Sequence, residues 1–114
     1  MLLQFKRGVN TEGVLPQVWF ALGIAQEIYA RETKKPLIVT SLDDGTHKKT
    51  SKHYKGLGAD LRTKHLTAPE VAVVFKALQT SLEPLCFDVV LEGDHIHIEY
   101  DPKQGEAWLR EGVA

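Results

Sequence analysis

The chain has 114 residues, of which 43% are hydrophobic and 25% charged, a size and balance that allow one modest core and leave too little chain for a second, so a single domain spanning 1-114 is expected. A formal net charge of -1 gives, in its overall balance, no indication of a nucleic-acid binder or of a protein held to a membrane surface by charge. The single cysteine, Cys86, excludes an internal disulfide and suits a reducing compartment; flanked by Leu85 and Phe87, it reads as buried packing.

In chain order, Leu2 to Phe5 reads as a short strand and Gly8 to Gly13 as a loop. Pro16 suits the first turn of a helix. Leu15, Val18, Trp19, Leu22, Ala25, Ile28 and Tyr29 then recur at three- and four-residue spacing, which predicts an amphipathic helix to about Arg31 with Trp19 and Tyr29 in the core. Leu37 to Thr40, bounded by Pro36, is a buried strand. A polar loop from Ser41 to Thr50 follows, and Ala59 to Arg62 is expected to form a strand leading away from the functional site.

Thr67 with Glu70 three residues later is a capping-box pattern, with Pro69 in the first turn. Val71, Val74, Phe75, Leu78 and Leu82 supply the second apolar stripe, and Pro84 stops it. Cys86 to Leu91 and His95 to Tyr100 read as two strands joined by a turn at Glu92-Gly93-Asp94, and one helical turn is expected near Trp108. Two helices and four or five strands make an α+β domain, expected to be a small antiparallel sheet with helices packed on one face and the site on the other. No run approaches membrane-spanning length, and MLLQFKRGV lacks the apolar core and small-residue cleavage site of a signal peptide, so synthesis in the cytoplasm is expected.

Chemistry concentrates in two short stretches. Ser51 to Asp60, SKHYKGLGAD, carries one imidazole, His53, and seven residues later one carboxylate, Asp60, with Gly56 and Gly58 between them to let the backbone turn back. The segment DHIH, Asp94 to His97, sets His95 and His97 on one face of a strand by alternation. Two imidazoles and a carboxylate hold a divalent ion with one position open, the donor pattern of a catalytic zinc site. Water in that position has its pKa lowered to roughly 7.

These residues resemble the first motif of the zinc D,D-carboxypeptidase and L-alanyl-D-glutamate peptidase family, peptidase family M15, whose members share the Hedgehog-type metallopeptidase fold. In Ser-x-His-x-x-Gly-x-Ala-x-Asp, Ser51, His53, Gly56 and Asp60 match, and Gly58 stands in place of the alanine. The second motif ends in a metal-binding histidine with an acidic residue three positions before it or a histidine two before it, and Asp94, His95 and His97 satisfy both forms.

The resemblance implies that His53, Asp60 and His97 hold Zn2+ while Asp94 or His95 assists the chemistry. Asp94 is the expected proton acceptor from water and His95 the support of the transition state. It further implies a monomeric peptidase that cuts an amide bond in the stem peptide of bacterial peptidoglycan, as a phage or prophage lytic enzyme does, acting on the cell wall after release or from a virion. The oxyanion stabiliser stays open among His47, Lys49 and Arg7. His47, Lys48, Lys49, Lys52 and Lys55 form a basic loop, either merely solvated or a docking surface for stem-peptide carboxylates. His65 and Glu99 read as surface groups or as groups that orient a ligand histidine. Two other classes compete: a non-catalytic wall-binding or virion module that keeps the metal, and a metal-dependent nuclease using the basic loop, which the near-neutral charge disfavours.

Overall fold

The computed structural model describes residues 3–42 and 57–101. Its elements in order are β1 (Leu3–Phe5), α1 (Pro16–Thr33), β2 (Leu37–Leu42), β3 (Gly58–Arg62), α2 (Ala68–Leu82), a single 3-10 turn (Glu83–Leu85), β4 (Phe87–Glu92) and β5 (His95–Tyr100). The five strands form one sheet in the order β1-β2-β3-β5-β4. The molecule is a small α+β domain in which α1 and α2 pack on each other and against the sheet.

The expected antiparallel sheet is corrected to a mixed one, because β1 pairs parallel with β2 while the other three pairings are antiparallel. The reason is the connection: α1 lies between β1 and β2, and a helical crossover returns the chain in the direction from which it left. Pro16 opens α1. Lys34 in the left-handed region (φ 60°) closes it, its N–H donating to the Ala30 carbonyl. Thr33 Oγ1 donates to the Tyr29 carbonyl (2.7 Å) and accepts from Lys35 N (2.9 Å), so the helix ends two residues later than its apolar stripe suggests.

Val18, Leu22, Ala25 and Tyr29 are fully buried, but Trp19, expected in the core, is 39% exposed. One residue further round a helix turns the side chain by about 100°. That step carries Trp19 off the buried stripe and edge-on against Phe5, ring centroids 6.0 Å apart.

The second helix starts as its sequence predicts: Thr67 Oγ1 accepts from Glu70 N (3.3 Å) and Glu70 Oε1 accepts from Thr67 N (2.8 Å). Lys35 Nζ reaches the same carboxylate oxygen at 2.6 Å, which ties this helix start to the segment leading into β2. Cys86 is buried as expected, but in left-handed backbone (φ 71°) closing the 3-10 turn, so the strand that follows starts at Phe87. Gly93, φ 46°, makes the tight turn between β4 and β5.

Alternation along the strands sorts the side chains. Leu37, Val39, Ala59, Leu61, Val89, Ile96 and Ile98 join the helix residues in a core cluster. Asp60, Arg62, His95, His97 and Glu99, at the intervening positions of β3 and β5, are half-buried on the opposite face. No helix of the described residues is long and apolar enough to cross a membrane.

Candidate metal centre

Two neighbouring strands build the site. β3 and β5 pair antiparallel with Asp60 opposite His97 and Arg62 opposite His95, so residues 37 apart in sequence stand side by side. β3 therefore runs beneath the site, with Asp60 at its middle, and does not lead away from it. Gly58 is the first residue of that strand, where it packs buried, so the residue in the motif's alanine position belongs to the sheet.

His97 Nδ1 lies 2.8 Å from Asp60 Oδ1, and its Nε2 lies 2.9 Å from Glu99 Oε1. Burial alone would lower the pKa of this imidazole, but the hydrogen bonds to Asp60 and Glu99 outweigh it and push the pKa up to about 9. At neutral pH both ring N–H groups donate, one to each carboxylate. Glu99 shares the face of His97 by the two-residue period of the strand, and it fixes which nitrogen is turned towards Asp60.

His95 stands on the same face. Its Nδ1 is 3.1 Å from Asp94 Oδ1, while Nε2 is 3.7 Å from Asp60 Oδ1 and 3.6 Å from Glu92 Oε1. Asp94 sits at the hairpin corner, where its carbonyl accepts from Thr63 N (3.0 Å) and its second carboxylate oxygen lies 3.3 Å from Lys64 Nζ. The hydrogen bond with His95, followed by that with Lys64, holds the Asp94 carboxyl below its ordinary range, so it is ionised at neutral pH.

Of the residues expected to form the site, Asp60, His97, His95 and Asp94 are thus brought together. His53 lies outside the described residues, as do His47, Lys48, Lys49, Lys52, Lys55 and Trp108. The described residues alone do not bring three metal-binding side chains into a ligand set.

The two donors present fit a metal. Tetrahedral ligands at zinc distances stand about 3.3 Å apart, so the Asp60–His97 pair needs to open by only a few tenths of an ångström to admit one. A carboxylate on the far nitrogen of a ligand histidine is the usual companion of such a site. His65 has no part in it: its Nε2 is 2.7 Å from the Pro36 carbonyl and its ring stacks on Tyr29.

Beside Asp60 opens a groove of about 340 Å3 lined by Lys6, Thr40, Ser41, Asp60, Arg62, Lys64 and Asp94. Arg7, a candidate oxyanion stabiliser, lines a smaller adjoining hollow instead. Sequence reading passed over Lys6, Arg62 and Lys64. Arg62 was within reach of it, being two residues from Asp60 on one strand, whereas Lys6 arrives only because β1 lies beside β2.

No protein-family model matches this chain, and no curated protein does.

Proposed function

We propose that this chain is a zinc-dependent peptidase of the M15 type, with the Hedgehog-like fold, that hydrolyses an amide bond in the peptide part of bacterial peptidoglycan as a phage or prophage lytic enzyme. The observation that carries this reading is the His97 arrangement: Nδ1 faces the Asp60 carboxylate while Nε2 is held by Glu99. Asp60 and His97 are the metal donors supplied by β3 and β5, and His53 is the third by the spacing of its motif. Held by these residues, zinc would supply a Lewis acid for the scissile carbonyl and a bound water of pKa roughly 7.

The chain's own residues do the rest. Glu99 keeps the Nε2–H of His97, so the proton given up on metal binding would be the one on Nδ1, leaving that nitrogen as the donor. Both carboxylate oxygens of Asp94 are already engaged, one by His95 and one by Lys64. His95 is held at Nδ1 by Asp94 (3.1 Å), and its other ring nitrogen, Nε2, is the one turned towards Asp60 (3.7 Å). We therefore assign the proton transfer from water to the leaving amine to His95, and make Asp94 the residue that positions it, which reverses the roles expected from the motif alone.

The test is zinc content and lysis of purified peptidoglycan before and after chelation. About one bound zinc per chain, with activity lost on chelation and restored by zinc, is the expected result. A His53→Ala protein that still cleaves peptidoglycan would overturn the reading. His95→Gln is expected to lower kcat by about 10²- to 10⁴-fold with zinc retained. Asp94→Asn should cost less, and the reverse order would return the proton transfer to Asp94.

A further inference from the structure

The helical side of the molecule carries an apolar groove of about 510 Å3 that the proposed chemistry does not use. Trp19, Phe20, Gly23 and Ile24 of α1 line it together with Ser81 of α2, and Glu27 and Arg31 stand further along the first helix. Phe20 is 64% exposed. Gly23 lies in the interior of α1, where glycine lowers helix stability about fivefold relative to alanine. Among the described residues, a Cβ added to Gly23 would meet no atom within 4 Å. Its bare backbone therefore serves no contact there and leaves room for something laid against it.

The chain passes out of the described region close to this groove. Asp101 N donates to the Cys86 carbonyl (2.7 Å), and Cys86 closes the 3-10 turn that continues α2. Ser81 lies five residues back along that helix, about 10 Å away at helical rise. Lys35, just after the end of α1, pairs with Glu70 in the first turn of α2, so the two packed helices run antiparallel. Asp101 is thus at the Phe20 end of the groove and Arg31 at the far end. Trp108 is seven residues beyond Asp101, a reach of up to about 23 Å.

We propose that residues 102–114 fold back over α1 and dock in this groove, with Trp108 and Leu109 on Gly23 and Ile24, Arg110 beside Glu27 and Glu111 beside Arg31. The order of charges favours this occupant. Along α1 the groove passes from apolar residues to Glu27 and then Arg31, while from Trp108 the chain reads apolar, apolar, cation, anion. Glu27 is about 6 Å and Arg31 about 12 Å from Gly23 along the helix axis, spans that the long side chains of Arg110 and Glu111 cover. The pair of Arg31 with its neighbour Glu32 is exposed and does not hold Arg31 away from the groove. A second copy of the chain fits less well, since a stable dimer takes about 20–30 residues a side and eight line this groove. None of these residues belongs to the metal centre, so the docking stands apart from the peptidase reading.

The experiment uses the full chain. Nuclear Overhauser contacts from the Trp108 indole to the Gly23 Hα and Ile24 methyl protons are expected within one copy, and none across copies in a mixture of labelled and unlabelled protein. Urea unfolding supplies the energetic test. On an uncovered helix Gly23→Ala would raise the folding equilibrium constant about fivefold, whereas beneath Trp108 it should lower it about threefold or more. Trp108→Ala should lower the constant about tenfold, and in that background Gly23→Ala should become stabilising. Arg110→Glu should cost about threefold and be restored by Glu27→Arg.

Absence of contacts between Trp108 and both Gly23 and Ile24, or a Gly23→Ala protein more stable than the native chain, overturns the proposal. Contacts seen only across copies overturn it in favour of a dimer.

Discussion

The two faces of the sheet are built from the same strands, one residue apart, and do opposite work. On one, Ala59, Leu61, Ile96 and Ile98 are completely buried beneath the helices. On the other, Asp60, Arg62, His95, His97 and Glu99 present two cation-forming histidines, an arginine and two carboxylates from intervening positions. The apolar face is tolerant in kind, since other hydrophobic side chains of similar volume would hold it together. The polar face is exacting, because moving one donor by a single residue would turn it into the core.

That contrast can be broken from either side. Asp60→Ala or His97→Ala should abolish peptidoglycan lysis and reduce bound zinc to background while leaving the circular dichroism spectrum native; retained zinc in both variants would show that the polar face is not the metal centre. Ile98→Ala, at the position next to His97 but facing the helices, should destabilise the fold by about 2–5 kcal/mol in urea unfolding. Its zinc affinity, measured below the transition, should stay unchanged.

Smaller effects sharpen the same division. Glu99→Gln should weaken zinc binding about 10- to 100-fold by competition titration, with unfolding hardly affected, because it loosens only the orientation of His97. Thr67→Ala, remote from the site, should cost about 1 kcal/mol of stability through the lost helix cap and nothing in zinc affinity.

The least effect is a pH dependence. The hydrogen bond from Lys35, then that from Thr67, lowers the Glu70 pKa below its ordinary 4.5. A carboxyl depressed in the folded state contributes stability above its unfolded pKa and loses it as the pH falls through the folded value. The difference in Tm between the native chain and Glu70→Gln should therefore be present at pH 7 and shrink below about pH 4.5. A difference that stayed constant into acid would show that the Lys35–Glu70 pair contributes nothing.

Much of this architecture is written in local pattern. The stripe of α1, the Thr67 cap and the alternation of HIHIEY are properties of a few consecutive residues, and each reappears in the structure. Trp19 was misplaced because three- and four-residue spacing admits a residue on the flank of the stripe as readily as one at its centre. The parallel placement of β1 was missed because strands of three residues carry no sign of their partner. Glu99 could be recognised only as a neighbour of His97 by strand period; that its carboxylate meets Nε2 needed coordinates.

By itself the sequence determined which side chains share a face of a strand or helix, because that depends on backbone periods of two and 3.6 residues and on nothing further away. It also set out the donors proposed above, His53, Asp60 and His97, as residue types and spacings alone. Only the tertiary structure decided that Asp60 lies opposite His97, that Lys6 comes to the same groove as Arg62, and that Asp94 is held by Lys64 and His95. Strand register is settled by hydrogen bonding and core packing between segments dozens of residues apart, and such pairings leave no mark on either segment alone.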